Sequence, residues 1–272
     1  MDTVKLRKMA ANVRMDAIEM IYRSGDGHPA PSLSAADIIT ALYFGVMNIR
    51  PQEPLWAQRD RFILSKGHAC PALYAALGLR GYFSRELYPT LRKMDSILQG
   101  HPDMKKTPGV DMTAGSLGNG LSAGFGMAMA SRLMGTNFRT YVICGDGELG
   151  EGIIWESALA VAKYGLDNLT LFIDNNGMQS GGGVEEVGGV TRIGEKFAAF
   201  DWQVLDIDGH DMTEILSAIE KAHGTKGVPT CIVAKTVKGK GVPFMEHNNA
   251  WHKRVPTAEE YDMAISALKE AL

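Results

Sequence analysis

The chain has 272 residues, of which 45% are hydrophobic and 22% charged, with a formal net charge of −3. A chain of this length can bury one large core, and its small negative charge gives no polyelectrolyte drive toward nucleic acid or an anionic membrane. No apolar run approaches the ~18 residues a membrane helix needs, and three scattered cysteines, Cys70, Cys144 and Cys231, with no C-x-x-C pair, argue against a disulfide framework.

The first residues lack the apolar centre of a secretory signal, so a cytoplasmic location is expected. Met9, Val13, Asp16, Ala17 and Met20 follow helical spacing and predict a helix from about Val4 to Arg23. A loop, Gly25-Asp26-Gly27-His28-Pro29, comes next. Ser34 and Asp37 then match a capping box that would open a helix through Tyr43. Arg61 to Leu64 read as a strand ending in the loop Ser65-Lys66-Gly67-His68, and Pro71 suits the first turn of the following helix. Between Gly115 and Ala130, small residues recur at helical spacing, notably Gly120, Gly124 and Ala128, which favours close packing inside the protein or against another subunit.

Thr140 to Cys144 and Leu169 to Ile173 are predicted as buried strands, with a helix from Trp155 to Lys163 between them. Strand, helix and strand follow at Gln203 to Ile207, Thr213 to Ala222 and Thr230 to Ala234. The glycines at 181–183 and 188–189 bracket an expected mobile loop. The predicted fold is α/β, a single domain over 1–272 with a mostly parallel sheet flanked by helices.

The most informative unit is the strand, helix and strand around Gly145-Asp146-Gly147-Glu148 and Asp174-Asn175-Asn176-Gly177. A right-handed crossover makes the two strands parallel, so both turns emerge at one sheet edge, where α/β proteins bind ligands. Asp146 offers a carboxylate, Asn176 a side-chain carbonyl and Met178 a backbone carbonyl. A side chain and the backbone two residues on can converge in an open loop. Three such oxygens, with room left for phosphate and water, suit magnesium, with calcium or manganese as substitutes. Gly145 and Gly147 let the backbone come close to a diphosphate. None of the seven histidines shows the spacing of a zinc site.

GDGELGEGIIWE at 145–156 followed by IDNNGMQ at 173–179 resembles the thiamine-diphosphate motif, in the form it takes in transketolases. The similarity continues in SGDGHPAPSLSAADI at 24–38, SKGHACPALYAAL at 65–77, GHPDMKKTPGVDMTAGSLGNGLSAGFGMAMA at 100–130 and KTVKGKGVPFMEHNNAWHK at 235–253. These segments keep the family's order across nearly the whole chain.

The resemblance implies a thiamine-diphosphate-binding fold and transfer of a two-carbon ketol unit between sugar phosphates, the chemistry of pentose phosphate metabolism. It places His28, His101 and His252 at the reactive end of the donor, where hydroxyls lose and regain protons and an alkoxide needs a donor nearby. It puts Lys66, His68, Lys238, Gly147 and Glu148 near the cofactor, with His252 touching it too. Gly115 and Ser116 would present backbone N–H groups, and Leu117 would pack on the thiamine rings. Glu151 and Glu156 match acidic positions at the family's subunit interface. His210 reads as a structural turn residue, and His223 and His247 as solvent-facing.

Full-length transketolases have three domains, and every matched segment belongs to the first. The glutamate that activates the aminopyrimidine lies in the second. The resemblance therefore implies the N-terminal subunit of a split transketolase, with a C-terminal subunit as partner in a heterotetramer of two chains of each kind. Deoxyxylulose-phosphate synthases share the Gly-Asp-Gly site but ordinarily keep all domains in one chain. The α subunits of oxo-acid dehydrogenases are split but are not expected to carry this histidine set. A non-catalytic cofactor-binding module would have no need of the four histidines. Pro31 and Ser32 depart from residues some relatives use after the His-Pro pair, and Asp26 adds a carboxylate beside His28.

Overall fold

The computed structural model describes residues 2–270 and 272. Helix α1 (Thr3–Ser24) begins where the Asp2 side chain accepts the N–H groups of Val4 and Lys5, and ends at Gly25, whose φ of 77° is left-handed. Helix α2 (Pro29–Ala41) is buried along its whole length and runs into a π-helical turn, Leu42–Val46. Strand β1 (Arg61–Leu64) leads through a short turn, Gly67–Ala69, into α3 (Cys70–Arg80), with a proline in its first turn as expected. There follow α4 (Asn119–Leu133), β2 (Thr140–Gly145), α5 (Gly152–Lys163) and β3 (Leu169–Asn175). A small hairpin, β4 (Met178–Gln179) and β5 (Gly182–Gly183), takes in the first of the two glycine groups, and turns carry the chain on toward the second at 188–189. The chain closes with α6 (Ile193–Ala199), β6 (Gln203–Asp208), α7 (Met212–Gly224), β7 (Thr230–Lys235) and α8 (Ala258–Lys269).

The five longer strands form one parallel sheet in the order β1-β2-β3-β7-β6. Helices cover both faces, which is why β2, β3 and β7 read as nearly unbroken apolar runs, whereas the edge strand β6 keeps polar residues at 206 and 208. Alternation survives in where each side chain points. Phe62, Leu64, Tyr141, Ile143, Phe172 and Ile232 join one core with residues of α1, α2, α3 and α7. Ile63, Val142, Cys144, Leu171, Ile173 and Val233 join the other with residues of α4, α5 and α6. A third cluster ties α8 to α1 and α2 through Leu268, Ile18, Leu33 and Trp251. All three cysteines are buried free thiols, and no helix among the described residues is long and apolar enough to cross a membrane.

The capping box expected at Ser34 and Asp37 does not form. The helix starts earlier, at Pro29, where the missing N–H of proline costs nothing. Both side chains point into the interior instead. Ser34 Oγ donates to Asp174 Oδ2 at 2.6 Å, and Asp37 pairs with Arg14 at 2.5 Å and with His210 at 2.7 Å.

The small residues of α4 serve internal packing on the sheet. A Cβ on Gly120 would lie 2.3 Å from the Ser65 Cβ, and one on Gly124 would lie 2.7 Å from Val142 Cγ2, whereas Gly126 faces open space. Gly120→Ala is therefore expected to lower the urea midpoint, with a loss of about 1–3 kcal/mol from overpacking. It should also displace the backbone entering Lys66 and His68. An unchanged midpoint would show that α4 moves away at no cost.

Candidate functional site

Because the strands are parallel, their C-terminal ends lie at one edge and deliver their following residues to one place. Ser65, Lys66 and His68 follow β1, and Asp146 to Glu148 follow β2. Asn176 and Met178 follow β3, and Thr236 and Lys238 follow β7. A cavity of about 300 Å³ opens there, lined by His28, Lys66, His68, His101, Gly115, Leu117, Asp146, Gly147, Glu148, Asn176, Met178, Lys238 and His252 among others.

One end of the cavity carries the oxygen-rich turns. Asp146 Oδ1 accepts the Gly147 N–H at 2.8 Å, and its Oδ2 accepts the Gly177 N–H at 2.5 Å. Asn176 Oδ1 accepts the Met178 N–H at 3.1 Å. These bonds stitch Asp146, Asn176 and Met178 into one corner. Burial, followed by the neighbouring Asp174, pushes the Asp146 carboxyl up to about 6. Asp174 is fully buried and is spoken for by the protein: Lys66 Nζ and Ser34 reach Oδ2, and Thr236 reaches Oδ1. Its carboxyl is held below the usual range chiefly by Lys66, against the pull of burial.

Lys238 is buried as well, yet its ammonium meets only neutral oxygens among the described residues, Asn249 Oδ1 at 2.7 Å and Gln179 O at 3.5 Å. Burial and then Lys66 push it down to about 8. The corner thus holds a carboxylate short of a cation and an ammonium short of an anion.

The histidines form the other end. The rings of His28, His68 and His252 stand in a triangle with centroids 5.3, 5.5 and 5.2 Å apart. His101 packs its ring beside Gly67 and Gly115. Burial is the largest influence on all four. It holds His28 and His252 down to about 4, His68 well below the usual imidazole range, and His101 below it too. Near neutral pH they are uncharged rings, able to donate from one nitrogen and accept at the other. The Nδ1 atoms of His28 and His252 are buried and have no hydrogen-bond partner among the described residues, polar groups left unsatisfied at the histidine end of the cavity.

A family model described as transketolase, thiamine diphosphate binding domain, matches residues 6–270. The chain belongs to the transketolase family. It is 41% identical to an apulose-4-phosphate transketolase subunit of Phocaeicola vulgatus, covering 100% of this chain and 95% of that protein. It is 43% identical to a 6-deoxy-6-sulfo-D-fructose transketolase subunit of a Clostridium species, covering 98% and 97%. The solved transketolase of Campylobacter jejuni subsp. jejuni matches with a TM-score of 0.93 and 30% identity, over 99% of this chain. The chain spans 43% of that structure's chain.

A transketolase domain must hold thiamine diphosphate, and the residues present fit it. Lys238, whose ammonium meets only neutral oxygens among the described residues, would supply the positive charge a diphosphate needs. No group of three or more His, Cys, Asp or Glu fit to hold a metal occurs among the described residues. A cation here would therefore rest on the Asp146 carboxylate with neutral oxygens and the diphosphate itself, a set suited to a hard ion that keeps water.

Two of the residues expected near the cofactor differ in how they meet the cavity. Ser116 is exposed and is not part of the cavity lining. Glu148 lines the cavity, but its carboxylate is turned to the protein. Oε1 takes Ser65 Oγ and the Gly118 N–H, and Oε2 takes the Gly145 N–H. A carboxylate would repel a diphosphate; this one joins the ends of β1 and β2 to the start of α4.

His210 is structural, as expected, though it does more than shape a turn. Nδ1 faces Asp37, and Nε2 accepts the Val237 N–H at 2.8 Å, beside Lys238. His247 is exposed, whereas His223 is half-buried and shares a hydrogen bond with Tyr141 at 2.8 Å. Glu151 and Glu156 are both exposed. Asp174 was visible in the sequence without a role. A carboxylate at the end of an apolar strand, next to the proposed ligands, was the signal that it is buried and paired.

Proposed function

We propose that this chain is the thiamine-diphosphate-binding subunit of a two-chain transketolase. It transfers a two-carbon ketol unit from a ketose phosphate, or a ketose with another anionic end, to an aldose phosphate. The observation that carries the reading is the shared cavity: Asp146, Asn176 and Met178 in one corner, Lys66 and Lys238 beside them, and four uncharged imidazoles at the other end. The Phocaeicola and Clostridium relatives, whose names give a phosphorylated and a sulfonated ketose, match this chain over nearly their full lengths.

When bound, thiamine diphosphate supplies the carbanion that attacks the donor carbonyl and the electron sink that holds the resulting two-carbon unit. The chain's own residues bind and orient. Asp146, Asn176 and the Met178 carbonyl would hold magnesium, or calcium or manganese in its place, beside the diphosphate. Lys238 would neutralise phosphate charge, and the uncharged His68 ring could only donate a hydrogen bond there. Lys66 contributes mainly by keeping Asp174 ionised and fixed. Leu117, with the Gly115 backbone beside it, packs on the cofactor rings.

His28, His101 and His252 face the sugar. Their uncharged rings suit them to accept a proton from a donor hydroxyl at one nitrogen and to donate to the oxygen that develops charge. All three line the cavity, and the unsatisfied Nδ1 atoms of His28 and His252 leave those rings without a fixed partner among the described residues. The partner subunit supplies the glutamate that activates the aminopyrimidine and much of the grip on the anionic end. Two chains of each kind form the working tetramer in the cytoplasm, handling sugars of the pentose phosphate type.

Reconstitution tests this. The purified chain, assayed with thiamine diphosphate, magnesium and a panel of ketose and aldose phosphates, is expected to show no ketol transfer. The mixture with its partner subunit is expected to show it. Full turnover by the chain alone, or none in the mixture with any donor, would overturn the reading.

A further inference from the structure

His28 and His101 sit in loops from distant parts of the chain, and one side chain grips both loops. Arg92 has a φ of 62°, a left-handed conformation seldom taken by a residue with a long side chain. Its N–H donates to Leu98 O at 2.8 Å, closing the turn before Gln99, Gly100 and His101. Its guanidinium packs against Gly100, where a Cβ would come 2.7 Å from Arg92 Cζ, and Nη1 donates to Gly100 O at 3.3 Å.

On the other side, Arg92 Nε pairs with Asp26 Oδ2 at 2.8 Å, two residues before His28. Lys93 adds a bond from Nζ to Ser24 O at 2.7 Å, so consecutive residues hold both ends of the turn that leads to His28. The second oxygen of Asp26 lies 4.0 Å from Nζ of Lys253, the neighbour of His252.

Neither Asp26 nor Arg92 lines the cavity. Their side chains are 42% and 23% exposed, and pairs of that kind add little to stability. A strained backbone kept for a weak pair points to geometry as its use. We propose that Asp26 and Arg92 are positioning residues: their pair clamps the His28 loop to the His101 loop, and through Lys253 extends the constraint to His252. This sets how the three imidazoles meet the sugar, and it rests on the reading of the cavity as a transketolase site.

The electrostatics agree with that placement. Burial lowers His28 most, Arg92, Lys253 and His101 lower it further, and Asp26 opposes them. Burial and then Arg92 lower His101. The other groups facing His28 are the rings of His68 and His252.

The test uses the reconstituted two-chain complex, with this chain labelled at histidine with nitrogen-15. Asp26→Asn and Arg92→Gln are each expected to lower kcat by about ten- to a hundredfold through misplacement of reacting groups, with thiamine diphosphate affinity unchanged. The double variant should be no slower than the worse single one, because the two residues act as a unit. In the imidazole titration, Asp26→Asn should move His28 further down, Arg92→Gln should move it up, and Arg92→Lys should restore it. Losses that multiply in the double variant, or single variants with unchanged kcat, would each overturn the clamp. A readout without turnover is His101, lowered by burial and Arg92 and on the loop that does not carry Asp26: its imidazole resonances should move in Asp26→Asn, so a complex lacking ketol transfer would sink the functional reading while unmoved His101 resonances would still overturn the clamp.

Discussion

Asp146→Ala is expected to lower ketol transfer in the two-chain complex by at least about a thousandfold, the rate equivalent of the several kcal/mol a bound cation contributes. The same change should weaken thiamine diphosphate binding to the point where titration no longer saturates. The reason lies in the composition of the corner. Asp146 is the one carboxylate in the proposed ligand set, since Asp174 is committed to Lys66, Ser34 and Thr236, and Glu148 to Ser65, Gly118 and Gly145.

The accompanying effect on stability is the balance of two opposed contributions, a costly buried charge and two hydrogen bonds to Gly147 and Gly177. The folded carboxyl sits at about 6, above its ordinary value, so its ionised form weighs against the folded state at neutral pH. The isosteric Asp146→Asn variant, unfolded without cofactor at pH 7.5 (on the order of one unit above that value), sheds that charge but turns its amide N–H toward the Gly147 or Gly177 N–H, so its stability is expected within about 1 kcal/mol of the unaltered chain. A variant that kept normal cofactor affinity would remove Asp146 from the site.

Asp174→Ala is expected to have the largest effect on stability, about 3–5 kcal/mol in urea unfolding, because it leaves the Lys66 ammonium buried without its partner. Replacing both members, with Lys66→Met and Asp174→Leu together, should recover much of that loss. Two apolar groups in a low-dielectric place are often no worse than an ion pair. The double variant is nevertheless expected to stay inactive, because the pair orders the ends of β1 and β3 around the diphosphate corner. Equal stability in the single and double variants would show that the interaction lies elsewhere. The contrast between the two aspartates is the physical basis of the site: one is neutralised from within the protein, the other waits for a ligand.

Much of this arrangement was legible in the sequence. Strands covered on both faces must be apolar throughout, so 140–145, 169–175 and 230–235 stood out. The Gly-Asp-Gly and Asp-Asn-Asn-Gly turns could only lie together if the strands were parallel. The stretch 29–41 was misread at its start, because Ser34 and Asp37 imitate a local cap. Their true partners, Asp174 and His210, lie 140 and 173 residues away. No local pattern contains such pairings.

Glu148 was expected at the cofactor for the same reason: its position in the motif was visible, whereas the direction of its carboxylate depends on Ser65 and Gly118. Ser116 shares its stretch with Gly115 and Leu117, yet only those two reach the cavity. The clamp of Arg92 on Asp26 and Gly100 depends on a backbone conformation that no residue spacing announces.

The claim that one hard cation anchors the diphosphate in this chain is tested most directly with manganese, which scatters anomalously. A crystal structure of the two-chain complex grown with thiamine diphosphate and manganese is expected to show one anomalous peak bonded to an Asp146 carboxylate oxygen, Asn176 Oδ1 and the Met178 carbonyl. Bound cofactor with no peak there, or a peak held by other residues, would contradict the account.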